Sequence, residues 1–213
     1  MSDITSQLAQ KIIEGNADEF NRLVDIALNQ NIEVGKIMEE GFIAGLNIVG
    51  EKFTKKEYFL PDMLVSGMIV QEGLKKIRPL IVKSGLKYKG IVIAGTVFGD
   101  MHDLGKKIVC MMLEGAGLEV IDIGIDVASE RYIKAAIEKK ADIIAMSSLL
   151  STTRLNMSAI ISDVRKSELS SNIKIIVGGA SVTQDFADKI GADGYAPDAG
   201  MAVLKVKELL NIY

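Results

Sequence analysis

From Ile4 to about Val82, apolar positions recur at helical spacing. Phe20, Leu23, Val24, Ala27 and Leu28 share one helical face, with Asn16 or Asp18 placed to cap its start. A third segment runs from Glu33 to about Phe53. A fourth begins at Leu60, with Pro61 in the opening turn where proline is tolerated, and continues through Leu64, Met68, Val70, Leu74, Ile77 and Ile81. Four short amphipathic helices with brief connections predict an N-terminal four-helix bundle.

The pattern changes after Ser84-Gly85. Gly90 to Thr96 is a short apolar run bounded by glycine, which reads as a buried strand. Leu118–Ile123, Ala141–Ser147, Ile173–Val177 and a weaker run at Gly194–Ala196 repeat it. Helical patterns alternate with these runs, at Leu104–Glu114, Glu130–Lys139, Arg154–Lys166, Gln184–Ile190 and Gly200–Leu210. Strand and helix in alternation predict an α/β domain, a doubly wound five-stranded parallel sheet of Rossmann/flavodoxin-like type. The expected domains are therefore a helical cap over residues 1–85 and an α/β domain over residues 86–213.

Composition narrows the function classes. A net charge of -3 without a basic run argues against nucleic acid as the main ligand. Mean hydropathy is positive, +0.25, yet no apolar stretch approaches the roughly 18–20 residues that a membrane span needs. The start, Met1-Ser2-Asp3-Ile4, does not read as a signal peptide. With one cysteine, Cys110, an internal disulfide is excluded, and a reducing cytoplasm is the expected location.

In doubly wound sheets, ligands sit beyond the carboxyl ends of the strands where strand order reverses. Three loops end there. The first, Asp100-Met101-His102-Asp103-Leu104-Gly105, holds the single histidine. Asp100 stands two positions earlier, on the same side of an extended backbone, where a carboxylate fixes the imidazole tautomer and strengthens its other nitrogen as a donor. Gly105 opens the next helix and leaves room for something bulky. On spacing alone His102 reads equally as a loop cap. One His and one Cys cannot complete a zinc site, so a metal here must bring most of its own ligands, as a tetrapyrrole-type macrocycle does.

The second loop, Ser147 to Thr153, offers five hydroxyls, each of which could simply cap the following helix. The third, Gly178-Gly179-Ala180-Ser181, removes side chains where a flat ligand could lie, though a Gly-Gly after a strand also makes a tight turn. All three in order on one sheet are a stronger pattern than any one.

Asp100-x-His102-x-x-Gly105, Ser147-x-Leu149 and Gly178-Gly179 resemble the signature of the cobalamin-binding domain of methionine synthase and its relatives. The stretches Gly95 to Lys106 and Gly191 to Ala199 bring the resemblance closer to corrinoid proteins of anaerobic methyltransferase systems for methylamines, methanol and methoxylated aromatics. It covers nearly the whole chain, since those proteins also carry an N-terminal four-helix cap.

The resemblance implies a bound cobalamin or related corrinoid, passing through methylcobalamin and cob(I)alamin forms. His102 would be the lower axial cobalt ligand, displacing the cofactor's own dimethylbenzimidazole. That tail would run past Gly105, Ser147, Leu149, Gly178 and Gly179. Asp100 would hold the other His102 nitrogen, Thr153 would be the hydroxyl donor of a triad, and Ser151 another hydroxyl of the pocket. Phe53 and Leu60 would cover the cofactor's upper face; on periodicity alone they read as bundle core.

The implied function is that of a methyl carrier rather than a catalyst. A donor-specific methyltransferase would load Co(I), and an acceptor methyltransferase would pass the group from methyl-Co(III) to tetrahydrofolate or coenzyme M. A reductive activase would be a further partner, and rocking about Ser84-Gly85 would uncover the upper face. A mutase subunit would share the cofactor, but the helical cap argues against it. A cobalamin-dependent regulator would call for bulky cap aromatics, and the chain has no Trp. An FMN carrier would share the sheet without explaining His102. Phe98 departs from the glutamate usual in methylamine-type proteins, and Arg154-Leu155-Asn156 also differs, which leaves the partners open.

Overall fold

The structure is a computed structural model and describes residues 3–84, 88–169 and 172–212. Its chain divides into two units, residues 1–88 with 111–117, and residues 89–110 with 118–213. The division expected at residues 85 and 86, and the Gly85 half of the expected hinge, lie outside the described residues.

The first unit is helical. Helix α1 (Ile4–Glu14) ends at Gly15 in the left-handed conformation, and α2 (Ala17–Asn29) is capped by Asn16, which accepts the Glu19 N–H. The third segment departs from one regular helix. A single turn, α3 (Val34–Lys36), passes through a π-helical stretch (Ile37–Ile43) into α4 (Ala44–Thr54). The wider π turn advances the register by one residue. This buries Ile37, Gly41, Phe42 and Ile43 together, where an unbroken α-helix would spread them around the axis.

Helix α5 (Leu60–Ser84) is long rather than short, and it contains Pro79 as well as the Pro61 of its first turn. An internal proline forfeits one backbone hydrogen bond, so packing must hold this helix together. The Phe20 and Phe42 rings pack tilted to one another with centroids 5.2 Å apart, and Gly73 of α5 leaves them the space, since a Cβ there would stand 2.7 Å from Phe42.

The second unit is the expected α/β domain. Strands β1 (Ile91–Thr96), β2 (Glu119–Asp122), β3 (Ile143–Ser147), β4 (Lys174–Gly178) and β5 (Gly194–Ala196) form one parallel sheet in the order β2-β1-β3-β4-β5. Between them lie α6 (Leu104–Gly115), α7 (Ser129–Lys139), a 3-10 turn (Thr153–Leu155) leading into α8 (Asn156–Lys166), α9 (Gln184–Ile190) and α10 (Ala199–Leu210). Strand order reverses between β1 and β3, which fixes the crevice at their carboxyl ends.

Alternation along the strands separates two faces. Ile93, Val97, Ile144, Met146, Ile175 and Val177 join Tyr132, Met157, Ile160 and Val164 in one buried core. The opposite face grades from large to small toward the carboxyl ends. Val92 is in register with Ile143, Ala94 with Ala145, and finally Thr96 with Ser147, Gly178 and Ala196. Helix α10 packs on this face, with Lys205 and Leu209 where a Gly194 side chain would project.

Candidate functional site

The loop after β1 turns because its glycine can. Gly99 has φ +81°, and its N–H donates to Asp126 Oδ1 at 2.7 Å, tying this loop to the one after β2. Asp126 N–H in turn donates to the Asp100 carbonyl at 3.1 Å. The Asp100 side chain is thereby aimed inward, and it is fully buried.

A buried carboxylate is costly unless hydrogen-bonded. Asp100 Oδ1 accepts the His102 backbone N–H at 3.0 Å and faces His102 Nδ1 at 2.8 Å. The first bond is an Asx-turn, so the two residues meet through a tight turn and not through extended backbone. Oδ2 accepts the Leu149 N–H at 2.8 Å and the Thr153 hydroxyl at 2.8 Å, with the Ser148 hydroxyl at 3.1 Å.

Burial pushes the Asp100 carboxyl up. The hydrogen bonds from the His102 N–H, the Thr153 hydroxyl, the His102 ring and the Leu149 N–H outweigh it and hold the group well below the usual carboxylate range. Asp100 is therefore ionised and accepts only. The proton between it and the imidazole belongs on Nδ1, which leaves the Nε2 lone pair free. The His102 side chain is 51% exposed. The site presents one ring nitrogen, His102 Nε2, at the crevice, with Nδ1 held by Asp100.

Asp100, His102 and Thr153 thus come together as expected, with the Leu149 backbone beside them. Ser147 lies one residue from the cluster, and its hydroxyl meets Thr96 Oγ1 at 3.1 Å on the small-residue face of the sheet. Ser151 is exposed and outside the Asp100 network. A Cβ on Gly105 would meet nothing within 4 Å, so the first turn of α6 does border open space.

Gly178 and Gly179 follow the tight-turn reading of this loop. A Cβ on Gly178 would stand 2.8 Å from the Ala196 carbonyl oxygen, and one on Gly179, at φ +113°, would fall on the Ser148 carbonyl. The protein's own backbone demands both. In the helical unit, Phe53 is half-buried and Leu60 is 42% exposed, so Leu60 is not bundle core.

Ser148 was not among the expected residues. Its side chain is 1% exposed, with Oγ 2.8 Å from Thr153 Oγ1. The only sequence mark it carries is its place in a run of hydroxyls. Arg154 also escaped the sequence reading as a support. Its guanidinium donates to the Ser181 carbonyl and lies 4.8 Å over the Phe186 ring, joining the loops after β3 and β4.

Among the described residues, no group of three or more His, Cys, Asp or Glu could hold a metal ion. A metal on His102 would have to arrive with its other ligands, and the donor set fits such a group. Among the described residues, no helix is long and apolar enough to cross a membrane.

A family model described as a B12 binding domain matches residues 90–204, and a second of the same description matches residues 4–78. Dimethylamine corrinoid protein 3 of Methanosarcina acetivorans is 43% identical over 213 residues, covering 99% of this chain and 100% of its own length. The trimethylamine corrinoid protein of Methanosarcina barkeri is 38% identical over 212 residues, covering 99% of this chain and 98% of its own. A cobalamin-binding protein from Desulfitobacterium hafniense, solved by crystallography, has a TM-score of 0.81 at 27% identity and covers 98% of this chain and 99% of its own.

Proposed function

The chain belongs to the family of B12-binding corrinoid proteins, and from that premise we propose that it carries a corrinoid on His102 and shuttles methyl groups between methyltransferases. When bound, the corrin supplies four nitrogen ligands and a cobalt centre that takes up and releases the methyl group. The chain supplies the fifth ligand, His102 Nε2. The observation that carries this reading is the ionised, buried Asp100, which keeps the proton on Nδ1 and leaves Nε2 open to the crevice.

Other residues shape the seat. The row Thr96, Ser147, Gly178 and Ala196 offers a strip of small side chains on one sheet face, suited to a flat lower tail. Gly105 and Leu149 border it, Gly178 and Gly179 keep its backbone close, and Ser151 supplies a hydroxyl at the rim. Phe53 and Leu60 offer apolar surface for the upper face of the cofactor. Thr153 would hold Asp100 in place against the His102 ring, so that hydrogen bonds rather than free charges answer changes at the imidazole. A donor-specific methyltransferase, an acceptor methyltransferase and a reductive activase are the proposed partners. The relatives named for dimethylamine and trimethylamine favour a methylated amine as donor.

Electron paramagnetic resonance tests the assignment. Protein reconstituted with cobalamin and poised as Co(II) should show splitting from one axial nitrogen that changes on 15N-histidine labelling. His102→Ala should lose that splitting. A signal that ignores both the label and the substitution would remove His102 from the metal.

A further inference from the structure

Two buried hydroxyls converge on a single carboxylate oxygen. Thr153 Oγ1 lies 2.8 Å and Ser148 Oγ 3.1 Å from Asp100 Oδ2, and the two hydroxyl oxygens are 2.8 Å apart. Each hydroxyl has one proton to give. In the shorter arrangement Ser148 donates to Thr153, and Thr153 donates to Asp100. Leu150 offers a competing acceptor, its carbonyl oxygen lying 3.1 Å from Thr153 Oγ1 and 3.3 Å from Ser148 Oγ. If Thr153 turns to that carbonyl, Ser148 can donate to Asp100 directly.

We infer that Ser148 is a positioning residue, a reserve donor that keeps one hydroxyl on Asp100 Oδ2 whichever way Thr153 rotates. The Leu150 carbonyl does not depend on either hydroxyl, since it also accepts the Arg154 N–H at 3.1 Å and the Ser181 hydroxyl at 3.1 Å. Both protons are therefore available to the carboxylate. The purpose of this redundancy rests on His102 being the cobalt ligand. A donor on Oδ2 withdraws charge from the carboxylate and weakens its pull on the Nδ1 proton, so a constant supply there keeps the strength of the imidazole donor constant.

The test needs no cofactor. The chain contains one histidine, so 15N-histidine labelling of the full-length protein without corrinoid gives ring resonances that belong to His102 alone. Ser148→Ala and Thr153→Val should each leave the Nδ1 resonance close to that of the unsubstituted protein. The double variant should strengthen the Nδ1–H bond to Asp100 and move the resonance by more than the two single shifts combined. Thr153→Ser, which restores a hydroxyl, should behave as the unsubstituted protein.

A shift in Thr153→Val equal to that of the double variant would show Ser148 idle, and an unmoved double variant would show neither hydroxyl matters. Both overturn the inference while leaving the metal assignment to its own spectrum. Should the double variant not fold, Thr153→Val with Ser148→Gly, which removes the same two hydroxyls, takes its place with the same two outcomes, and a large shift in Thr153→Val alone overturns the inference.

Discussion

The two faces of the sheet share the same strands and differ in what they bury. One is packed with Ile93, Val97, Ile144, Met146, Ile175 and Val177 against Tyr132 and the apolar sides of α7, α8 and α9. The other starts large at Val92 and Ile143 and ends with Thr96, Ser147, Gly178 and Ala196 in register. A strand optimised only for stability would carry large aliphatics on both faces, as parallel strands buried on both sides generally do. The taper on one face gives up packing where the crevice opens. The contrast separates the half of the domain that packs large aliphatics from the half that tapers to small side chains.

Substitutions can break this comparison. The largest effect belongs to the packed face, where Ile144 is fully buried. Ile144→Ala should lower unfolding stability by about 2–5 kcal/mol, through lost transfer energy and a residual cavity. Urea denaturation reads this directly, and corrinoid loading below the unfolding transition should be unchanged. On the tapering face, Ser147→Leu adds bulk where small residues line up. Crowding of about 1–3 kcal/mol corresponds to a loss of affinity for complete cobalamin of about fivefold to 150-fold. Cobinamide, which lacks the lower tail, should bind as before. Spectrophotometric titration with both ligands separates the cases, and equal losses for the two would mean that this face does not receive the tail.

The same contrast explains what could be read from the chain. Strands were legible because their apolar runs are short, rich in Ile and Val and bounded by glycine or charge; even the weaker run near Gly194–Ala196 is a strand, β5. The pairing of His102 with Asp100 was legible because the two stand two positions apart in one loop, whereas the place of Thr153 came only from the family resemblance. Ser148 was not. Neighbouring hydroxyls at 147 and 148 diverge as the strand ends, and only the turn that follows decides which of them reaches Asp100.

The reason for Gly179 was hidden in the same way, since it depends on how closely the Ser148 carbonyl approaches. In the helical unit, the stretch from Ile37 to Ile43 is apolar on too many sides for periodicity to reveal a π turn. Pro79 in α5 shows packing overriding a local breaker.

The smallest expected effect sharpens the comparison through pH. Tyr132 is buried in the packed face, and burial, with a smaller contribution from the nearby Asp122 charge, pushes its hydroxyl far up, so it stays neutral wherever the protein is folded. Asp100, at the crevice, is shifted the other way. Its folded pKa lies below the value of about 3.9 expected in an unfolded chain. Its stabilising contribution is therefore complete above about pH 4 and is lost as pH falls through the folded value. Asp100→Asn removes that titration and leaves the exposed acids, Asp3, Glu14 and Glu19 among them, common to both proteins. The difference in melting temperature between the two should thus shrink as the medium falls below about pH 4. A difference that stays flat down to the acid unfolding limit would mean that Asp100 gains nothing from its hydrogen bonds on folding, and the crevice would lose the charge that orients its histidine.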